Sequence, residues 1–167
     1  MSLKCAILTV SDRSAAGIRE DQSGPALAQA VADQGWQVCE KSIVPDEMEK
    51  IQKELISWAD SGEIQVILTT GGTGFSPRDV TPEATESILD RGTPGIAEAM
   101  RSASMKITPH AMLSRAAAGI RRNTLIINFP GSPKGALENF EVVAPVLPHA
   151  VDLLMESDQA ESGHQLT

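Results

Sequence analysis

The chain has 167 residues, 41% of them hydrophobic, with no apolar run near the roughly 20 residues that a membrane span requires. That is room for one core of ordinary size, and it argues against a second full domain, disorder and membrane insertion. Fourteen basic against 22 acidic side chains give a net charge of −8, with two Trp, three Phe and no Tyr; this excludes a basic nucleic-acid binder and leaves almost nothing for stacking bases.

Charge is uneven along the chain. Residues 1–63 carry 6 basic and 11 acidic groups, residues 64–135 carry 8 and 5, and residues 136–167 carry 0 and 6. The middle is a positive island, net +3, between segments of −5 and −6. Cys5 and Cys39 sit in apolar, β-like stretches without metal-ligand spacing, as expected of reduced core residues in a cytoplasmic protein. The apolar run that follows Met1-Ser2-Leu3-Lys4 is too short for a signal peptide.

Residues 5–10 read as a buried strand ending in a polar loop, Ser11-Asp12-Arg13 onward, that extends to Ser23. Ser23-Gly24-Pro25 opens a helix that Gly35 stops. A second strand covers residues 36–44. Pro45-Asp46-Glu47-Met48-Glu49 then starts a helix, with Asp46 able to cap and Glu49 to close a capping box, and Met48, Ile51, Leu55, Trp58 and Ala59 forming its apolar face. Residues 64–68, flanked by Thr69 and Thr70, are a third strand, as continuously apolar as a parallel strand buried on both faces. A helix opening at Thr81-Pro82-Glu83 is expected to reach Arg91-Gly92, and another to cover 95–106. Residues 116–120 and 124–128 form two β-like runs close enough for a hairpin. After a turn at 131–134, residues 135–155 are helical in two pieces interrupted by Pro145 and Pro148, and 156–167 is a polar tail. The expected fold is a three-layer α/β/α sandwich, residues 1–155, whose mainly parallel sheet carries one antiparallel strand and binds ligands beyond the strands' carboxyl ends.

The chemistry concentrates in loops after strands. Gly71, Gly72, Thr73 and Gly74 follow the third strand, where glycines admit positive φ and let N–H groups converge on phosphate. No Gly-Lys-Ser/Thr follows, so this is not a Walker A loop. Arg78 offers a planar fork for phosphate oxygens and Asp79 a hard oxygen for Mg²⁺; equally, Asp79 could cap the next turn and pair with Arg78. His110, His149 and His164 form no metal-ligand pattern.

TVSDR at 9–13, VPDE at 44–47, LTTGGTGFSPRDVTPEAT at 68–85, LSRAAAGIR at 113–121 and INFPGSPK at 127–134 together resemble the molybdopterin adenylyltransferase family, the MogA-like proteins and the gephyrin G domains, over residues 4–155. The resemblance implies transfer of AMP from MgATP to the terminal phosphate of molybdopterin, with release of pyrophosphate, before metal insertion. It implies essential aspartates at Asp46 and Asp79, a homotrimer, and a downstream molybdenum insertase as a possible partner. Several negative charges must meet in line, so positioning and charge neutralisation should dominate. Asp46 and Asp79 are the expected Mg²⁺ ligands, Arg78 the charge stabiliser, and Gly71 to Gly74 the phosphate cradle. The molybdopterin side is expected at Ser11, Asp12, Ser114, Arg115, Asn128, Gly131 and Ser132. Ser114 could equally bond its own loop, Asp12 could form an Asx-turn, and Lys134 reads as a surface lysine. The rivals are a MoaB-like molybdopterin-binding protein with weak or no catalysis, a scaffold module, which would need appended domains, and a nucleotide hydrolase of the competence-damage type.

Overall fold

In the computed structural model, which describes residues 2–155, six strands form one sheet in the order β2-β1-β3-β6-β5-β4. The strands are β1 (Lys4–Val10), β2 (Gln37–Val44), β3 (Val66–Thr70), β4 (Arg91–Gly92), β5 (Ala118–Arg121) and β6 (Thr124–Phe129). The helices are α1 (Asp12–Ala15), α2 (Ser23–Asp33), α3 (Met48–Asp60), α4 (Thr81–Glu86), α5 (Pro94–Met105), α6 (Pro133–Val143) and α7 (Leu147–Leu154), with 3-10 turns at Pro109–Leu113 and Ala144–Val146.

Alternation along each strand splits the core in two. Cys5, Ile7 and Leu68 face one side, where Leu27 of α2, Met100 of α5, Phe140 of α6 and Val151 of α7 cover them. Ala6, Leu8, Val10 and Ile67 face the other, under Ile51 and Leu55 of α3 and Ala84 of α4. Both faces are buried, hence the unbroken apolar runs. The chain crosses from β1 outward to β2 and back to β3, both parallel to β1; the loops after β1 and β3 therefore diverge and leave a crevice at their carboxyl ends. β6 is parallel to β3, and β5 runs against both β6 and β4. The sandwich and its reversed hairpin strand are as expected.

Several local expectations fail. Asp46 does not cap α3: the N-cap is Glu47, without a side-chain hydrogen bond, and the Asp46 carboxylate is engaged elsewhere. The helix at Thr81 stops at Glu86 instead of reaching residue 92, because Asp90 N–H and Thr93 N–H donate to the Ile120 and Ala118 carbonyls and draw Arg91–Gly92 into the sheet. The polar loop after β1 contains α1, whose N-cap Ser11 accepts from Ser14 N–H. Cys39 is only half-buried because β2 is an edge strand, whereas Cys5 is fully buried and burial, then the nearby Cys39, pushes its thiol up to about 12. The third strand also begins at Val66 and includes Thr69 and Thr70, and the helix after the 131–134 turn begins at Pro133, capped by Ser132 through Gly135 N–H at 3.1 Å. Pro145 does break the helical segment, with a 3-10 turn, and Pro148 lies in the first turn of α7, where no N–H is needed. The stretch 156–167 and His164 lie outside the described residues.

Candidate active site

Each of the four parallel strands delivers part of one site at its carboxyl end. β1 leads into Ser11 and Asp12, β2 into Asp46, β3 into Gly71 to Gly74, and β6 into Gly131 and Ser132. The glycine loop is pressed against its neighbours. Gly71 has φ +100°, and a Cβ there would run into the Val10 carbonyl oxygen. Gly72 has φ +69°, and a Cβ there would overlap Thr81 Oγ1 and stand 3.0 Å from Asp46 Oδ1. One built on Gly74 would stand 3.0 Å from Asp79 Oδ2. Both carboxylates therefore lie against the loop backbone itself.

Asp12 and Asp46 grip one another through their main chains. Asp12 N–H donates to Asp46 Oδ2 at 2.9 Å, and Asp46 N–H donates to Asp12 Oδ1 at 3.0 Å. Arg78 closes the cluster, giving Nε and Nη2 to the two Asp12 oxygens at 3.0 and 2.9 Å. The two acids respond oppositely. The Arg78 hydrogen bonds hold the Asp12 carboxyl below its usual range. Burial, with the nearby charges of Asp12 and Asp79, pushes Asp46 up. The Asp79 carboxylate accepts from Ser76 N–H at 3.1 Å, so it organises its own turn while Arg78 pairs with Asp12.

Arg115 braces the loop from behind. Its main-chain N–H donates to Thr73 O at 2.8 Å, Nε to Gly74 O at 2.7 Å, Nη2 to Asp79 O at 2.8 Å, and Nη1 to the Glu83 carboxylate. Thr81 Oγ1 donates to Gly71 O at 2.9 Å. Asn128 is fully buried, joining Thr69 and Thr85 through Nδ2 at 3.0 and 2.9 Å and accepting Ala117 N–H at 3.1 Å.

The loop divides two cavities. The first, about 320 Å³, lies on the Gly71 and Gly72 side with Ser11, Asp46, Asp79 and Gly131. The second, about 290 Å³ and more apolar, lies on the Thr73 and Gly74 side with Met100, Leu113 and Ser114. Ser132 lines both. The residues expected on the molybdopterin side are thus divided: Ser11 and Gly131 at the first cavity, Ser114 at the second, and Asp12, Arg115 and Asn128 holding the frame. Sequence reading missed Arg19 and Asp21 at the first cavity. Asp21 accepts from Thr9 Oγ1 at 2.7 Å and from Gly24 N–H at 3.0 Å, and an acid three residues before the helical Gly24 was the available signal.

Among the described residues no group of three or more His, Cys, Asp or Glu side chains could by itself hold a metal ion. Two hard carboxylates at a phosphate-sized loop are the donor set that suits Mg²⁺ arriving with a nucleotide, since that ion takes one or two carboxylates and completes its shell with phosphate and water.

A family model described as "Probable molybdopterin binding domain" matches residues 6–149. The molybdopterin adenylyltransferase of Helicobacter pylori is 44% identical over 151 residues, 89% of this chain and 86% of that one. Gephyrin of Dictyostelium discoideum is 49% identical over 158 residues, 89% of this chain, which spans 22% of gephyrin's length. The crystal structure of the molybdopterin biosynthesis enzyme MoaB from Thermus thermophilus superposes with a TM-score of 0.87 at 49% identity, covering 93% of this chain and 98% of that one. With its strand-end loops, paired aspartates and glycine cradle in the same order as its motifs, the chain belongs to this molybdopterin-binding domain family.

Proposed function

We infer that the chain is a molybdopterin adenylyltransferase of molybdenum cofactor biosynthesis. The observation that carries this reading is the packing of Asp46 and Asp79 against the glycine-loop backbone between two cavities; the 44% identity to an adenylyltransferase of similar length supports it. The loop spans the join of two substrates. ATP lies with its phosphates over Gly71 to Gly74; the Gly71 N–H is spent on the Phe129 carbonyl at 3.2 Å, so the N–H groups of Gly72, Thr73 and Gly74 hold them without bulk. The pyranopterin enters the more apolar cavity beside Ser114, and its phosphate points toward Ser132 and Gly131. An oxygen of that phosphate attacks Pα in line, the new P–O bond replaces the Pα–O–Pβ bond, and pyrophosphate leaves.

Magnesium enters with ATP as part of the substrate, and when bound it offsets phosphate charge beside Asp46 and Asp79. Arg78 has Nη1 free of Asp12 for the charge that develops on the polyphosphate. Arg115 and Asn128 set the loop's shape. The chain acts in the cytoplasm, in keeping with the free thiols of Cys5 and Cys39, works as a homotrimer, and hands its product to a molybdenum insertase. Incubation with MgATP and molybdopterin, read by mass spectrometry, yields adenylylated molybdopterin and pyrophosphate; a folded protein giving neither overturns the reading.

A further inference from the structure

The second cavity holds a cation that neither the motifs nor the reaction has used. Ala97, Met100, Arg101 and Ser104 of α5 all line it, a spacing of three, four and seven residues that marks one helical face. Ala97 and Met100 are buried, as an inward face requires. Arg101 is the one charged residue of that stripe and stands half-buried between Met100 and Ser104.

Its hydrogen bonds leave most of the guanidinium uncommitted. Nη1 donates to Ala116 O at 2.9 Å and, at the longer 3.4 Å, to Ser114 O. Neither Nε nor Nη2 makes a hydrogen bond to the described residues, and no carboxylate of those residues lies within salt-bridge distance. Glu138, the acid on the same cavity, pairs with Lys134 at 3.5 Å. A half-desolvated guanidinium with spare donors favours an electron-rich acceptor, and a charge-assisted bond there is stronger than a neutral one.

We propose that Arg101 is a substrate-binding residue that grips an anionic or carbonyl acceptor on the pterin-bearing substrate in the second cavity. The assignment rests on the adenylyltransferase reading above. Arg101 is charged and has donors only; the neutral ring nitrogens of adenine are weaker acceptors for it than the ring carbonyl and the two readily ionised sulfurs of a pyranopterin dithiolene, so it favours the pterin. The anchor Nη1 makes to the Ser114 and Ala116 carbonyls fixes the fork while its other edge faces ligand.

The test compares wild type, Arg101→Lys and Arg101→Met under anaerobic conditions. In Arg101→Met the KM for molybdopterin rises about 10-fold or more, while the KM for ATP and the ADP affinity by calorimetry change less than about 2-fold; Arg101→Lys recovers part of the loss because it keeps the charge. Independently of any variant, the ¹⁵Nε signal of Arg101 in the wild-type protein shifts on adding molybdopterin alone and stays in place on adding ADP. An unchanged molybdopterin KM, equal losses for both substrates, or an Arg101 signal that moves with ADP instead overturns the proposal. Wild type giving no adenylylated product overturns the underlying reading instead, and the Arg101 signal with molybdopterin still decides whether the cavity binds pterin.

Discussion

Asp46 and Asp12 hold each other's main chain, yet folding shifts them in opposite directions, and that contrast separates catalysis from stability. The Asp46 carboxyl is raised above its ordinary 3.8, burial first among the causes. Its contribution to stability is complete below the unfolded value and lost as pH rises through the folded one, so at neutral pH the ionised group adds nothing to the fold. Asp46→Asn keeps an oxygen for Asp12 N–H and removes the partly buried charge; its Tm at pH 7 is expected to equal or exceed that of wild type, while kcat falls by about two to three orders of magnitude. Near-normal turnover would make Asp46 purely structural. Asp12 is lowered, chiefly by its Arg78 hydrogen bonds, so its contribution is present above the unfolded value and fades as pH falls through the folded one. Both ends of that pair are largely exposed, so the effect on stability is small; the kinetic effect of Asp12→Ala should be larger, because it both frees Arg78 and takes the acceptor from the Asp46 N–H. Protons also compete for the raised Asp46 oxygen, so the Mg²⁺ concentration at half-maximal rate is expected to climb as pH is lowered from 7 toward 5, more steeply in wild type than in Asp46→Asn.

At the scale of elements, motif order and fold were legible because they depend on local patterns: apolar runs gave the buried strands, and the Ala116 to Asn128 region gave the reversed hairpin. What escaped was what tertiary contacts decide. The two-residue β4 exists only because β5 offers it carbonyls across Gly119, where a Cβ would overlap Leu89. Asp46 reads as a helix cap by spacing, and only the approach of Asp12, 34 residues away in sequence, turns it toward the loop. Arg115 reads as a ligand residue in sequence, and its donors go to Gly74, Asp79 and Glu83 in a different motif, a tertiary arrangement that no local pattern announces. The same contrast predicts unequal glycines. Gly35 ends α2 at φ +77° with nothing within 4 Å of a notional Cβ, so Gly35→Ala costs only the backbone term, about 1 kcal/mol. Gly71→Ala adds a collision with the backbone of β1 to a comparable φ. Its expected cost is above ~2 kcal/mol, with Tm lower by roughly 2–4 °C per kcal/mol and activity lost alongside. Equal melting shifts for the two variants would contradict the account of the loop as a pressed wall between β1 and the ligand.

For the whole molecule, the envelope of charge −8 surrounds a site whose cations come almost entirely from the middle segment: Arg78, Arg101 and Arg115 all lie within residues 64–135. The same region carries exposed apolar side chains. Phe75 on the glycine loop is 68% exposed, Ile107 after α5 56%, and Met112 and Leu113 on the 3-10 turn 62% and 43%. The Arg115 N–H on Thr73 O ties that turn to the glycine loop, and Leu113 reaches the second cavity. If these side chains form a contact between copies, association would place a neighbouring chain beside the second cavity, which Leu113 lines. Sedimentation of the wild type at micromolar concentration is expected to give three times the 17.7 kDa of one chain. Met112→Glu should shift that equilibrium toward single chains and raise the molybdopterin KM more than the ATP KM, since the first cavity lies on the far side of the loop. A wild type that sediments as one chain, or a dissociated variant with unchanged kinetics, would detach the oligomer from the site and leave each copy catalytically self-sufficient.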